Sequence, residues 1–184
     1  MSKEYPNILS IGGEGQNSGK TMLAERIISK FSREHVIHGL KITSHQHTNT
    51  EKAVKIKEKA GIVLLEETDP GSVKDTGRML AAGAQRAFLL QTTDTEVAKG
   101  IGLLTGILDS NALIVCESGK VLKAGRTAVH LFVRHLNCQK RNIEKELQNR
   151  SADRLVTYTI NGFDLDLDSI FIKNNQWYLK QQEV

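Results

Sequence analysis

The sequence predicts an α/β fold, a three-layer sandwich with a mostly parallel sheet and a C-terminal β-hairpin. Short apolar runs alternate with amphipathic segments along most of the chain, and strands that alternate with helices form parallel sheets covered on both faces. No repeat, linker or shift in composition divides the 184 residues, which include only 2 prolines. One domain spanning residues 1–184 is therefore expected.

The first predicted elements are a strand, a glycine-rich turn and a helix. Residues 7–12, "NILSIG", form a short apolar run, and residues 20–34 place apolar side chains three and four positions apart, as on one helix face. Residues 35–43, "HVIHGLKIT", predict the second strand. The polar and basic residues 44–60 predict a loop, with or without a short helix.

The middle of the chain continues the alternation of strands and helices. A helix over residues 72–84 closes at Gly83, a residue suited to a C-terminal cap. The neighbouring apolar and amphipathic segments predict strands at 61–67, 85–93 and 112–118 and a helix at 95–108.

The C-terminal part predicts further strands and one charged helix. Residues 128–135 and 154–161 have strand character, and residues 138–152 between them predict a charged helix. Residues 169–179 predict a hairpin that turns at Asn174 and Asn175.

The stretch "GGEGQNSGKT", residues 12–21, has the features of a phosphate-binding loop. Such a loop points backbone N–H groups at phosphates, which favours glycine, and it opens a helix whose N-terminus faces the anion. It also needs a lysine for charge and a hydroxyl for Mg²⁺, here Lys20 and Thr21. The common spacing would place Glu14 at the first glycine. Counted from Gly13, the loop has five residues before Gly19, and Glu14 becomes an insert-like residue that faces solvent.

This longer loop resembles that of dethiobiotin synthetase and its relatives. They belong to the P-loop class that contains the signal-recognition GTPases and the MinD-type ATPases. The MinD subgroup itself carries a second lysine early in the loop, where this chain has Glu14. The resemblance implies a P-loop NTPase fold.

Three further stretches resemble the B (adaptor) protein family of molybdopterin-guanine dinucleotide biosynthesis. They are "HGLKITSHQHT", "KDTGRMLAAGAQRAFLL" and "ALIVCES", and with the loop they extend the resemblance over residues 7–118. The chain departs from that family in its longer loop, at Met22 and at Ser118, and residues from 120 onward match no pattern of it. The resemblance implies a nucleotide-binding role in cofactor biosynthesis.

We expect one site for a nucleoside triphosphate with Mg²⁺ at the carboxyl edge of the sheet. Lys20 is the expected catalytic contact to the β- and γ-phosphates, and Thr21 is the expected metal ligand. Glu117 ends an apolar run and is expected to be catalytic, as a general base or a ligand at the metal; the alternative is an exposed acid that starts a turn. The residues expected to contact the nucleotide are Gly13, Gly15, Gln16, Asn17, Ser18, Gly19, Lys20, Thr21, Met22 and Lys41.

Other polar residues near these strand ends have two interpretations each. Lys41 contacts a phosphate or acidic group, or is a surface lysine. Asp75 caps a helix or joins the site, and Arg78 contacts an acidic ligand or solvent. His45 and His47 would share a face of a strand, but no third metal ligand accompanies them, so hydrogen bonding is preferred. Residues 92–94 are expected first to cap a helix and second to join the site.

The expected function is Mg²⁺-dependent binding of ATP or GTP. The lack of an Asn-Lys-x-Asp sequence favours ATP, whereas the resemblance favours GTP. A weak NTPase or adaptor, a small-molecule kinase or ligase, and a non-hydrolysing sensor all remain open, so hydrolysis and phosphotransfer are both undecided.

Composition bears on partners and location. The net charge of +4 is spread along the chain, so no nucleic acid is expected. No apolar run is long enough for a membrane span, and two cysteines are too few for a disulfide framework, so a cytoplasmic protein is expected. A protein partner or a homodimer is left open. The apolar residues of the C-terminal hairpin need a cover, preferably from the same chain.

Overall fold

The computed structural model describes residues 3–15, 18–44, 52–109, 111–135 and 151–180. Its helices are α1 (Lys20–Phe31), α2 (Asp75–Ala81) and α3 (Val97–Thr105), with short 3₁₀ helices at Gly119–Lys123 and Leu167–Ser169. Its strands are β1 (Glu4–Gly13), β2 (Ile37–Thr43), β3 (Val54–Lys59), β4 (Ile62–Glu67), β5 (Arg86–Thr92), β6 (Leu113–Glu117), β7 (Arg126–His135), β8 (Arg154–Thr159), β9 (Gly162–Phe163), β10 (Ile170–Lys173) and β11 (Gln176–Leu179).

Nine strands form one sheet in the order β3-β4-β5-β2-β6-β1-β7-β8-β9, and β10 and β11 form a separate antiparallel hairpin. The strands from β5 to β8 in this order are parallel. Antiparallel pairs occur only toward the two edges, at β3-β4-β5 and at β8-β9. The prediction of an α/β fold with a mostly parallel sheet and a C-terminal hairpin is confirmed.

Apolar side chains cover both faces of the sheet. Leu9 of β1 packs in a cluster with Ile27 of α1, Met79 of α2 and Trp177 of β11. The preceding residue, Ile8, belongs to the opposite cluster, which contains the buried residues of α3. Because successive strand side chains point to opposite faces, α1, α2 and the hairpin lie on one face, and α3 lies on the other.

The parallel register brings three strand ends to one edge of the sheet. In the β2–β6 pair, Lys41 lies opposite Glu117. In the β1–β6 pair, Ser10 lies opposite Cys116, so β1 reaches Gly13 and the following loop at the same edge. Residues distant in the sequence are thereby placed beside the start of α1.

The segment 54–59 is a strand, whereas its polarity predicted a loop with or without a short helix. It pairs antiparallel with β4 as the edge strand β3, and nearly all of its side chains are exposed. Lysines on an edge strand discourage pairing with another chain, so strand and polar composition are compatible here. Residues 45–51, which include His45 and His47, lie outside the described residues.

Two further differences concern the lengths of elements. The helix predicted over residues 72–84 is shorter, because α2 starts at Asp75 and is followed by Ala82 as its C-cap. Gly83 has a left-handed φ of 107°, as its predicted role in the helix end requires. The β8–β9 hairpin was not predicted beyond β8, and the charged helix expected at 138–152 falls almost wholly outside the described residues.

The C-terminal hairpin turns where the sequence predicted. Asn174 and Asn175 have φ angles of 52° and 54°, the left-handed pair of a tight hairpin turn. Trp177 is 1% exposed; its ring lies edge-on to Phe31, with 5.2 Å between centroids, and its indole N–H donates to the Asn7 carbonyl at 3.1 Å. The same chain therefore covers this face of the hairpin. In the described residues, no helix is long and apolar enough to cross a membrane.

Trp177→Ala should lower the free energy of unfolding by about 3–5 kcal/mol, because it empties a buried ring site and removes a hydrogen bond. Urea denaturation followed by circular dichroism measures the loss. Tyr178→Ala is the matched control on the same strand: Tyr178 is 37% exposed, and about 1 kcal/mol or less is expected. Equal losses in the two variants would contradict the docking of the hairpin through Trp177.

Candidate functional site

The loop between β1 and α1 turns tightly at Gly13. A Cβ atom at Gly13 would lie 2.9 Å from both the Val133 carbonyl oxygen and the Ser18 hydroxyl, so only glycine fits there. The next residue continues the contact, because the Glu14 N–H donates to the Val133 carbonyl at 3.2 Å. At the other end of the loop, Gly19 has a left-handed φ of 93°, which also favours glycine.

Lys20 folds back into this loop. Its ammonium donates to the Gly15 carbonyl and to the Ser18 hydroxyl at 2.9 Å. The Ser18 hydroxyl in turn donates to the Gly15 carbonyl at 3.1 Å, and Ser18 is 2% exposed. The first residue of α1 thus places a positive charge among loop acceptors. Gln16 and Asn17 lie outside the described residues, and Met22 lies half-buried in the first turn of α1.

The expectation that Glu14 faces solvent is wrong. Its side chain is 22% exposed and pairs with Arg134 of β7, with 3.5 Å between Glu14 Oε1 and Arg134 Nε. The partner comes from the strand that already bonds the Glu14 backbone. Both the side chain and the backbone of Glu14 therefore bind the loop to β7.

Lys41 joins two carboxylates beside the start of α1. Its ammonium lies 2.6 Å from Glu117 Oε1 and 2.8 Å from Asp75 Oδ2. The Thr21 hydroxyl donates to the other oxygen of Asp75, Oδ1, at 3.1 Å. Four elements, β2, β6, α1 and α2, thus each contribute one side chain to what we call the carboxylate cluster (Thr21, Lys41, Asp75 and Glu117).

Burial and charge shift the pKa values of this cluster in different directions. Burial raises the pKa of Glu117, whose side chain is 2% exposed, and the charge of Lys41 only partly opposes it. Burial would also raise the pKa of Asp75, but the charge of Lys41 and the hydrogen bonds from Lys41 and Thr21 hold it below its ordinary value. Burial would lower the pKa of Lys41, yet the charges of Glu117 and Asp75 outweigh it and raise the pKa.

The cluster has the features of a cation site that needs further ligands. With both acids ionised, one ammonium faces two carboxylates, so one negative charge is unbalanced. Glu117 Oε2 is buried and has no hydrogen-bond partner among the described residues. Oxygen ligands of this kind suit Mg²⁺, which uses one or two carboxylates and takes its other ligands from water and phosphates. The described residues hold no group of three or more His, Cys, Asp and Glu side chains that could bind a metal alone.

Asp75 joins the cluster and does not cap its helix. The N-cap of α2 is Lys74, and no side chain caps the helix there. Asp75 is the first helical residue, and both of its carboxylate oxygens face the cluster. The sequence could not distinguish capping from a role in the site, because a carboxylate at a helix start can do either. The position of β2, which brings Lys41 to Asp75, decides for the site.

Arg78 and Asp94 are occupied by structural ion pairs. The Arg78 guanidinium donates two hydrogen bonds to Glu25 of α1, at 2.8 and 2.7 Å. Its partner is therefore a carboxylate of the same chain, which neither of the two predicted roles anticipated. The Asp94 carboxylate pairs with Lys120 and, at 3.8 Å, with Lys123. The N-cap of α3 is Glu96 and has no side-chain cap, so the cap expected at residues 92–94 is wrong.

Sequence reasoning missed two aromatic residues beside the loop. A Cβ atom at Gly19 would lie 3.0 Å from the Tyr158 ring and 3.2 Å from the Phe163 ring. These rings come from β8 and β9, far along the chain from the loop. No local pattern relates them to Gly19, because the contact depends on β8 lying two strands from β1 in the sheet.

A separate cleft lies at the opposite edge of the sheet, where the parallel strands begin. Its volume is about 720 Å³, and its walls include Glu4, Arg126 and Arg154, where β1, β7 and β8 begin. None of the described residues of the glycine-rich loop or the carboxylate cluster lines this cleft.

Comparisons with protein-family models, curated proteins and solved structures found no match for this chain.

Lys41→Met should lower the free energy of unfolding by about 2–4 kcal/mol, because it leaves the buried Glu117 carboxylate beside Asp75 without a cation. Urea denaturation of Lys41→Met, Glu117→Gln and the double variant measures the coupling. Most of the loss should be recovered in the double variant, where the buried negative charge is also absent. Additive losses would contradict a coupled pair.

The pH dependence of Lys41→Met has a definite sign. The pKa of Glu117 is raised in the fold, and removing the Lys41 charge raises it further. A raised carboxylate pKa contributes stability below the unfolded pKa that is lost as pH rises through the folded pKa. The deficit of Lys41→Met relative to the wild type should therefore shrink as the pH falls from 8 toward 5.

Proposed function

We propose that this protein binds a nucleoside triphosphate together with Mg²⁺ in the glycine-rich loop and the carboxylate cluster. One observation carries the proposal: Lys20 and Thr21 are adjacent at the start of α1, where Lys20 contacts loop acceptors and Thr21 contacts Asp75 of the carboxylate cluster. In a phosphate-binding loop, the lysine reaches the phosphates and the adjacent hydroxyl binds Mg²⁺. The position supports the same function, because ligands of parallel α/β sheets bind at the carboxyl edge.

The loop provides what a triphosphate needs. The N-terminus of α1 offers backbone N–H groups and a positive dipole end. Gly13 lets the loop backbone pack closely against the Val133 carbonyl of β7, and Lys20 supplies the positive charge. The acceptors that now hold Lys20, the Gly15 carbonyl and the Ser18 hydroxyl, can be exchanged for phosphate oxygens.

Thr21, Asp75 and Glu117 would hold the metal. Their donor atoms are a hydroxyl and two carboxylates, and the buried Glu117 Oε2 without a partner is the atom that a cation would satisfy. A bound Mg²⁺ neutralises charge that develops on phosphate oxygens. The residues of the chain then orient the triphosphate and exclude water from the buried side of the site.

Lys41 is the cation that balances the cluster, and its role changes with the ligand. It contacts both acids when they are ionised. A second positive charge at those acids would release its ammonium toward a phosphate or another acidic group. Released in this way, Lys41 would contribute to nucleotide or substrate binding.

The resemblance to the B protein family of molybdopterin-guanine dinucleotide biosynthesis favours a weak NTPase that works as an adaptor. The second candidate is a small-molecule kinase or ligase resembling dethiobiotin synthetase, and Lys41 favours it, because a cation outside the loop can bind an acidic acceptor. Slow phosphate release without any acceptor would support the adaptor. Binding without hydrolysis would indicate a nucleotide sensor.

Lys20→Ala should weaken the binding of both ATP and GTP by roughly 100-fold or more, because it removes the charge on the phosphates. Thr21→Val and Asp75→Asn should retain Mg²⁺-free binding and lose the gain in affinity that Mg²⁺ gives the wild type. Isothermal titration calorimetry with and without Mg²⁺ measures both effects. Lys99→Ala is the matched control, since Lys99 is 71% exposed on α3.

The close packing of the backbone at Gly13 gives an independent test of where the phosphate-binding loop begins. Gly13→Ala should abolish nucleotide binding, because its Cβ would overlap the Val133 carbonyl. Glu14→Gly removes only the pairing with Arg134 and should change affinity by no more than about threefold. A large gain in affinity for Glu14→Gly would instead mean that residue 14 occupies the ordinary glycine position.

A further inference from the structure

Three aromatic side chains form a wall beside the glycine-rich loop. Tyr158 at the end of β8 and Phe163 of β9 have ring centroids 4.8 Å apart at an angle of 34°. His135, at the end of β7, lies against Tyr158 with 5.8 Å between centroids. We call His135, Tyr158 and Phe163 the aromatic wall; each of its side chains is half-buried.

The wall contacts the loop directly before Lys20. Both Tyr158 and Phe163 lie within about van der Waals distance of the Cα of Gly19, because a Cβ there would be 3.0–3.2 Å from their rings. Glycine at residue 19 thus serves two purposes: it takes the left-handed φ and it lets the rings approach. On the α1 side, the Arg26 guanidinium covers the Phe163 ring at 5.1 Å.

Packing explains only part of this arrangement. Tyr158 and Phe163 touch the hydrophobic core, yet both keep exposed surface next to the start of α1, while the neighbouring Ile160 is fully exposed at the hairpin tip. Aromatic rings beside a site for phosphates offer faces on which a base can stack, and every base has such a face. The Arg26 guanidinium over the Phe163 ring is attracted to it and helps to hold that ring in place.

We propose that the aromatic wall is the nucleobase platform, with Tyr158 as its main stacking residue. The proposal rests on the proposed function, since the triphosphate in the loop determines where the base can lie. Stacking on a ring recognises the flat face of any base and does not distinguish adenine from guanine. This is consistent with a chain that lacks the Asn-Lys-x-Asp sequence of guanine sites. Tyr158 is then a binding residue for ATP and GTP alike.

Calorimetry with three probes tests the platform: ATP, GTP and inorganic tripolyphosphate, each with Mg²⁺. Tyr158→Leu should weaken both nucleotides by roughly tenfold or more and leave tripolyphosphate, which has no base, within about twofold. Tyr158→Phe keeps the ring and should bind all three as the wild type does. Tyr178→Leu is the matched control, because Tyr178 also stacks on a phenylalanine, Phe171, but on the remote hairpin.

Three other outcomes are possible, and each would contradict either the platform or the proposed function. If the wild type binds both nucleotides and Tyr158→Leu changes neither, the platform is wrong and the phosphate site stands. If Tyr158→Leu weakens tripolyphosphate as much as the nucleotides while its circular dichroism is unchanged, Tyr158 only shapes the loop, and the platform is again wrong. If the wild type binds none of the three probes, the proposed function fails and the platform fails with it.

Discussion

The ammonium of Lys41, held between Glu117 and Asp75, is the interaction on which the rest of the site depends. It joins β2 to β6 and to α2, and Asp75 extends the connection to Thr21 of α1. The parallel register that sets Lys41 opposite Glu117 makes this possible. Without that register, the loop after β1 would have a lysine and a hydroxyl but no acids beside them.

The contacts of the carboxylate cluster leave one buried oxygen atom without a hydrogen bond in the described part of the chain. Glu117 is buried with one oxygen that lacks a partner among the described residues, and such a group costs free energy. Proteins retain unfavourable groups of this kind where a ligand later satisfies them. The balance of charge, one ammonium against two acids, points in the same direction. Both features support the proposal that an added cation and its phosphates complete the contacts of the site.

Much of the fold follows from the sequence because buried parallel strands are apolar runs and the helices between them are amphipathic. The convergence of Lys41 and Glu117 also followed, since parallel strands end at one edge. The sequence could not decide the role of Asp75, the pairing of Glu14 with Arg134 or the contact of Tyr158 with Gly19. Each depends on which strands are neighbours in the sheet. The edge strand β3 was missed because exposed lysines hide its pattern.

The most direct test of the central claim is a crystal structure of the protein with Mg²⁺ and a non-hydrolysable triphosphate analogue of ATP or GTP. The account predicts the triphosphate in the loop that begins at Gly13, in contact with Lys20, and the metal bound by Thr21 and the two acids of the cluster. A nucleotide bound at another place, such as the cleft at the opposite edge of the sheet, would contradict it. So would a loop and cluster left unchanged at saturating ligand.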